Sequence, residues 1–283
     1  MSFKIYLQDL GLGEDTIRVY TSTARSLQKY QKTRDLTTGT AVKNYLRKRI
    51  IKGRGYHVLY AIKHYLKYKK VNRDLIEKLP KPKRSDPEVD VGTYVTRKQL
   101  NQILHVLQDN NIKKYFVIAT IQAYCGTRPS ETIKLNKKNF EYDSKTRQLK
   151  ITVLGKGRRK GVTVLHPPLS YKVVYPYIIK QGEHPFLTKT FNNIESSEAL
   201  KAVKYVYKEY YLHIKKASES IGVKNFKPHD FRRNLANDLI NSGSNINDIQ
   251  QVLRHKDAST TLLYFKKDTT KIGETLSGLY EIK

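Results

Sequence analysis

The feature that most constrains this chain is a break in its periodicity. Between Leu79 and Thr93 runs Pro80-Lys-Pro-Lys-Arg-Ser-Asp-Pro87, three prolines among charged residues with no apolar period. Proline lacks a backbone N–H and pushes the residue before it out of the helical region, so neither a helix nor a central strand crosses such a stretch. An extended linker at 80–93 is the expected form, with one domain at 1–79 and another at 94–283. The chain has 283 residues, enough for each side to bury its own core.

The N-terminal side reads as helices. After Gly13-Glu-Asp-Thr16, apolar positions fall at Ile17, Tyr20, Ala24, Leu27 and Tyr30, the three-four spacing of one buried helical face. A second helix is predicted near 41–51, closed by Gly53-Arg-Gly55, and a third over 56–68 with Leu59, Ile62, Tyr65 and Leu66 toward the core. Arg47, Lys48, Arg49, Lys52 and Arg54 gather at the turn between them, beside Lys63 and Lys67. That cluster suits a phosphate backbone, and a solvated helix surface is the other reading.

Beyond the linker, Thr96 caps a predicted helix and an apolar helix follows over 113–124. Residues 139–165 then switch to strand texture. Leu149, Ile151 and Val153 alternate with polar residues, Gly155-Lys-Gly-Arg-Arg-Lys-Gly161 turns, and Val162, Val164 and Leu165 resume, which predicts a hairpin with a very basic tip. Helical texture returns at 171–180, 198–221, 230–242, 246–253 and 260–265. The fold class expected is mainly α with a small antiparallel β-sheet.

Lys and Arg total 54 against 25 acids, a formal charge of +29. An excess of that size points to a polyanionic partner, chiefly nucleic acid, although ribosomal and packaging proteins share it. The single cysteine, Cys125, excludes a disulfide framework or a cysteine zinc cluster within one chain. No N-terminal apolar run and no long uncharged apolar segment appear, so a cytoplasmic protein with no membrane partner is expected. No phosphate loop of the Gly-x4-Gly-Lys type occurs, and no histidine pair has metal-ligand spacing. Neither a cofactor nor a metal is expected.

A set of residues in chain order fits phosphoryl transfer. Arg128, Lys156, His229 with Arg232, His255 and Tyr264 are guanidiniums, proton carriers and a hydroxyl. Planar guanidiniums match the non-bridging oxygens of a pentavalent phosphorus with parallel hydrogen bonds. The leaving alkoxide needs an acid, for which Lys156 serves, while His229 or His255 could handle protons. Tyrosine, with an ordinary pKa of about 10, becomes a nucleophile beside cations.

The order and spacing resemble a tyrosine recombinase of the phage-integrase type, of Xer-like character, and the composition is compatible with an archaeal origin. Gly126-Thr-Arg128-Pro-Ser-Glu131 is similar to the family's first arginine box, where the glutamate supports the arginine. Gly155-Lys156-Gly157 in a hairpin is similar to its lysine turn, and His229-Asp-Phe-Arg232 to its His-x-x-Arg box. Leu253-Arg-His255 leads in nine residues to Tyr264, the family's step to its nucleophile. The resemblance implies a two-domain DNA clamp, with a helical core-binding domain at 1–79 and a mixed α+β catalytic domain at 94–283. It further implies site-specific cleavage and rejoining of double-stranded DNA through a 3′-phosphotyrosyl link. A homo-tetramer on DNA, monomer or dimer when free, is implied as well.

Two departures stand out: Arg254 occupies a position usually held by glycine, and Arg158, Arg159 and Lys160 compete with Lys156 as the acid. Tyr280 lacks the step from His255, so Tyr264 is the expected nucleophile. Arg158, Arg159, Arg233 and Arg254 join the N-terminal cluster as expected DNA contacts. A non-catalytic DNA-binding protein and a type IB topoisomerase are the competing readings.

Overall fold

The computed structural model describes residues 2–31, 40–50, 55–81, 93–109, 112–155 and 160–254. The chain forms two compact units, Met1–Glu88 and Val89–Lys283. The expected linker falls largely on residues outside those described, as does the predicted helix at 260–265.

The first unit contains α1 (Phe3–Asp9), α2 (Glu14–Gln31), α3 (Thr40–Ile50), α4 (Gly55–Tyr68) and α5 (Arg73–Glu77). Its core follows the sequence period: Ile17, Tyr20, Ala24 and Leu27 of α2 are buried, as are Leu59, Ile62, Tyr65 and Leu66 of α4. Val42, Tyr45 and Leu46 of α3 complete it. Two short helices escape the period because a helix of one or two turns shows little of it. In α1, Ser2 Oγ accepts from the Ile5 N–H at 3.3 Å, and Leu7 is fully buried. In α5, Asn72 Oδ1 accepts from the Asp74 N–H at 2.9 Å.

The second unit is built around α7 (Lys113–Cys125), which buries residues on all its faces, from Tyr115 through Val117, Ile118 and Ile121 to Cys125. A helix apolar all round has to lie in the middle of its unit. Packed against it are α6 (Arg97–Asp109), α8 (Pro129–Ile133), a strand described below, a π turn at Ser170–Val174 and α11 (Pro228–Asn241). α9 (Tyr175–Ile179) continues from the π turn, α10 (Ser197–Ser220) packs on α6 and α8, and α12 (Ile246–Leu253) packs on α11. Thr96 starts α6 as expected, its Oγ1 accepting from the Gln99 N–H at 3.2 Å while Gln99 returns a bond to the Thr96 N–H at 3.0 Å. Tyr210 of α10 donates to Gln122 Oε1 in the core at 2.6 Å.

The predicted hairpin is part of a three-stranded antiparallel sheet in the order β1 (Phe140–Asp143), β2 (Gln148–Leu154), β3 (Lys160–Leu165). Leu149, Ile151 and Val153 face inward as expected, but Val162 and Val164 do not. The register pairs Leu149 with Leu165 and Ile151 with Thr163, so Val162 and Val164 share the outer face and Val162 is 51% exposed. With a side-chain period of two, register alone decides that face. No helix among the described residues is long and apolar enough to cross a membrane.

Candidate active site

α7 ends at a glycine for two reasons. Gly126 has φ +60°, the left-handed region that costs a residue with a Cβ, and it satisfies the helix end by donating to Gln122 O at 3.0 Å. A Cβ there would also lie 3.0 Å from Leu253 Cδ2 and 3.1 Å from Leu235 Cδ2, so α11 and α12 close directly over it. The chain then extends at Arg128, φ −76° and ψ 149°, before Pro129 opens α8 at a position where its missing N–H costs nothing.

Glu131, three residues on, holds both parts of Arg128. Its Oε2 accepts from the Arg128 N–H at 2.9 Å and its Oε1 accepts from Arg128 Nη1 at 2.6 Å. The Glu131 side chain is 6% exposed and that of Arg128 37%, so the carboxylate sits inside and the guanidinium reaches out from it. Thr127 and Thr132 lock the turn beneath, hydroxyl to hydroxyl at 2.6 Å.

α11 presents the next pair. His229 and Arg232 are three residues apart and share a helix face. Asp230, fully buried between them, accepts from the Lys227 N–H at 2.8 Å and from Arg233 Nη1 at 3.0 Å, which fixes the helix start. Arg232 is buried and donates through its two terminal nitrogens to the carbonyls of Gly126 and Leu253. These carbonyls end α7 and α12, where unpaired C=O groups gather partial negative charge, so a guanidinium is the matching partner for both. His229 keeps an exposed edge. Burial of the rest of its ring holds its pKa below the usual histidine range, and Arg233, Arg232 and Arg128 lower it further against a smaller opposing effect of Asp230.

Arg254 closes the arrangement from α12. It is the C-cap of that helix with φ +54° and ψ +44°. An expected DNA contact, it is instead turned inward: Nη1 donates to the carbonyls of Cys125 and Val252 at 3.3 Å each, and Nη2 to Gly126 O at 3.2 Å. Its side chain is 13% exposed and stands 3.8 Å from Glu131 Oε2. β3 of the hairpin approaches the same place. Thr163 Oγ1 donates to Cys125 O at 3.4 Å, and a Cβ on Gly161 would overlap Cδ of Arg254. Cys125 itself is buried, which pushes its thiol up to about 12, so it is core and no nucleophile.

Residues 93–271 match the phage integrase family. The chain belongs to that family. Membership makes it a tyrosine recombinase, an enzyme of DNA strand cleavage and ligation. Among its relatives are the tyrosine recombinases XerA of Thermococcus kodakarensis, 26% identical over 93% of this chain and 89% of that protein, and of Pyrococcus horikoshii, 26% identical over 97% and 90%. XerC of Caldanaerobacter subterraneus is 25% identical over 75% of this chain, which spans 57% of that longer protein. The fold is similar to a XerH recombinase bound to palindromic difH substrate, with TM-score 0.66 and 16% identity over 97% of this chain and 82% of that one. It is also similar to a lambda integrase dimer bound to a core site, with TM-score 0.66 and 11% identity over 93% and 74%.

Of the site residues expected for a tyrosine recombinase, the structure brings together Arg128, Glu131, His229 and Arg232. Lys156, His255 and Tyr264 lie outside the described residues, as do Arg158, Arg159, Lys52 and Arg54. Arg47 and Lys67 are exposed and Lys63 half-buried, on α3 and α4 of the first unit, where Lys48 and Arg49 also fall. Arg233 is tied to Asp230. Sequence reasoning missed Asn234, which is buried, donates to Thr93 O at 3.1 Å and Asp230 O at 2.8 Å, and accepts from the Val95 N–H at 2.8 Å. It pins the chain entering this unit to α11. No local signal marks it, because its partner lies 139 residues away.

Proposed function

We propose that this recombinase exchanges strands at a specific DNA site with Tyr264 as nucleophile. The Tyr264 hydroxyl attacks the scissile phosphorus, giving up its proton as the P–Oη bond forms and the P–O5′ bond breaks. Lys156 protonates the departing 5′ oxygen. Arg128 and Arg232 hold the non-bridging oxygens, where charge accumulates in the transition state. His229 and His255 donate or take protons beside them. The 3′-phosphotyrosyl link keeps the energy of the broken ester, so attack by the 5′ hydroxyl of a partner strand reverses the step without ATP.

The observation that carries this reading is the junction at the end of α7. There Glu131 holds Arg128, Arg232 donates to the Gly126 carbonyl two residues before Arg128 and to the Leu253 carbonyl, and His229 lies one helical turn from Arg232. Two boxes far apart in the chain supply these side chains, and a third supplies the Leu253 carbonyl. The first unit, with its exposed cations on α3 and α4, acts in this reading as the core-binding domain of a clamp around the duplex. Four protomers assemble on two sites and exchange strands in pairs through a Holliday junction, in the cytoplasm where the replicon lies. Resolution of replicon dimers and integration of a plasmid or virus are the two settings for such a reaction.

Incubation with nicked target DNA traps the covalent intermediate, because the short fragment carrying the released 5′ hydroxyl diffuses away. The expected result is a denaturant-resistant protein–DNA complex that forms with a chelator present and is lost in Tyr264→Phe. Persistence of the complex in Tyr264→Phe refutes the nucleophile. Failure to form one on any selected site refutes the reaction.

A further inference from the structure

We propose that Arg254 is a positioning residue for strand cleavage: it ties the end of α12 to the Arg128 turn through Glu131 and the Cys125 and Gly126 carbonyls. The proposal rests on the cleavage reading above. Three independent observations meet at this side chain.

The first is the backbone. Arg254 sits at φ +54° and ψ +44°, a conformation that is costly for a residue with a Cβ and free for glycine. A long charged residue persists in such a place when its contacts compensate. The second is those contacts. The guanidinium reaches three carbonyls, of Cys125, Val252 and Gly126, at 3.2–3.3 Å. It also stands 3.8 Å from Glu131, the carboxylate that holds Arg128. Because Arg232 donates to the same Gly126 carbonyl, a continuous polar chain runs from Arg128 through Glu131, Arg254 and Gly126 to Arg232. The third is space. Gly161 of β3 has no Cβ where one would overlap the Arg254 stem, so a strand position weakened by glycine faces a helix cap strained by arginine. Each disfavoured residue is accommodated by the other.

A direct phosphate contact is the competing role, and the 13% exposure of the side chain opposes it. As a positioning residue, Arg254 shares the charge of Glu131 and neutralises the carbonyl end of α7. It thereby sets how the turn presents Arg128 and where Arg232 anchors.

Arg254→Gly is the test, since glycine adopts this backbone freely and the variant should fold. At saturating nicked DNA its rate of covalent complex formation should fall about tenfold or more, the size expected for lost hydrogen bonds to a charged group. DNA affinity should stay within about twofold, and its salt slope, which counts neutralised phosphates, should be unchanged. Gly161→Ala, which displaces the stem while keeping Arg254, should lower the same rate. Added to Arg254→Gly it should lower it no further, because the space is already vacant. An unchanged rate in Arg254→Gly overturns the proposal. So does a loss carried by affinity with the salt slope reduced by about one, or additive losses for the two substitutions. Failure of the cleavage reading is seen separately, in unsubstituted protein that forms no complex.

Discussion

The two units of this chain differ in what they bury. In Met1–Glu88 the interior is aliphatic and aromatic: Phe3 packs edge-on against Tyr65 with ring centroids 5.3 Å apart, and Gln28 donates to the Tyr65 hydroxyl at 2.7 Å from a part-buried position. Its cations lie outside, as with Lys69, whose ammonium stands 5.8 Å from the Tyr68 ring. In Val89–Lys283 the interior includes Glu131, Asp230 and Arg232, and every buried polar or charged side chain among the described residues other than tyrosine belongs to this unit. Burying charge is costly unless each group is paired, and here each is. The contrast teaches that exposed cations act through their sum, which salt screens, whereas buried ones act through their geometry.

That contrast predicts what substitution does in each unit. The largest effect should come from Arg232→Lys, which keeps the charge but loses the two-pronged hold on Gly126 and Leu253. Covalent complex formation at saturating DNA should drop about 10²–10³-fold, as for removal of a transition-state donor. A change confined to salt-sensitive affinity would erase the distinction between the units. Next, Gly126→Ala should destabilise the protein by about 1–3 kcal/mol in urea unfolding, since both its backbone and the Leu235 and Leu253 methyls resist a Cβ. In the first unit, replacing Arg47, Lys63 and Lys67 together by alanine should act on DNA affinity. The log–log salt slope should fall by about one for each phosphate these residues contact. If that slope holds, the basic cluster is only a solvated surface.

The smallest effect is on pH dependence. His229 has a lowered folded pKa, so the unfolded chain binds its proton first as the pH falls, and stability declines from the ordinary histidine range toward the lowered value. His64 and His213 are lowered as well and act in the same direction. The unfolding midpoint of the unsubstituted protein should therefore fall more between neutral and mildly acidic pH than that of His229→Gln. Equal slopes would mean that neither burial nor the neighbouring arginines lower the His229 pKa in the folded protein.

The longer helices and β2 were legible because their cores obey simple periods. Ile17, Tyr20, Ala24 and Leu27 mark α2 without help from the rest of the chain, and Leu149, Ile151 and Val153 mark β2. That Arg128 lies beside Glu131, and His229 on one face with Arg232, is legible because residues three apart on a helix or at its start are neighbours by geometry. Helices α1 and α5 were too short to show a period, whereas β1, with Phe140 and Tyr142 alternating with acids, falls within the strand texture of 139–165.

The sequence by itself therefore determined the helical period, the β-texture and the chemical types assembled for phosphoryl transfer, since each depends on neighbours within a turn or a pleat. Only tertiary structure decided the rest. Val162 and Val164 face outward because the register with β2 sets their side. Arg254 is an inward brace because α12 ends against α7, more than a hundred residues earlier in the chain, and Gly161 leaves room for its stem. A guanidinium can donate to phosphate or to carbonyl, and which it finds depends on what long-range packing brings within its reach.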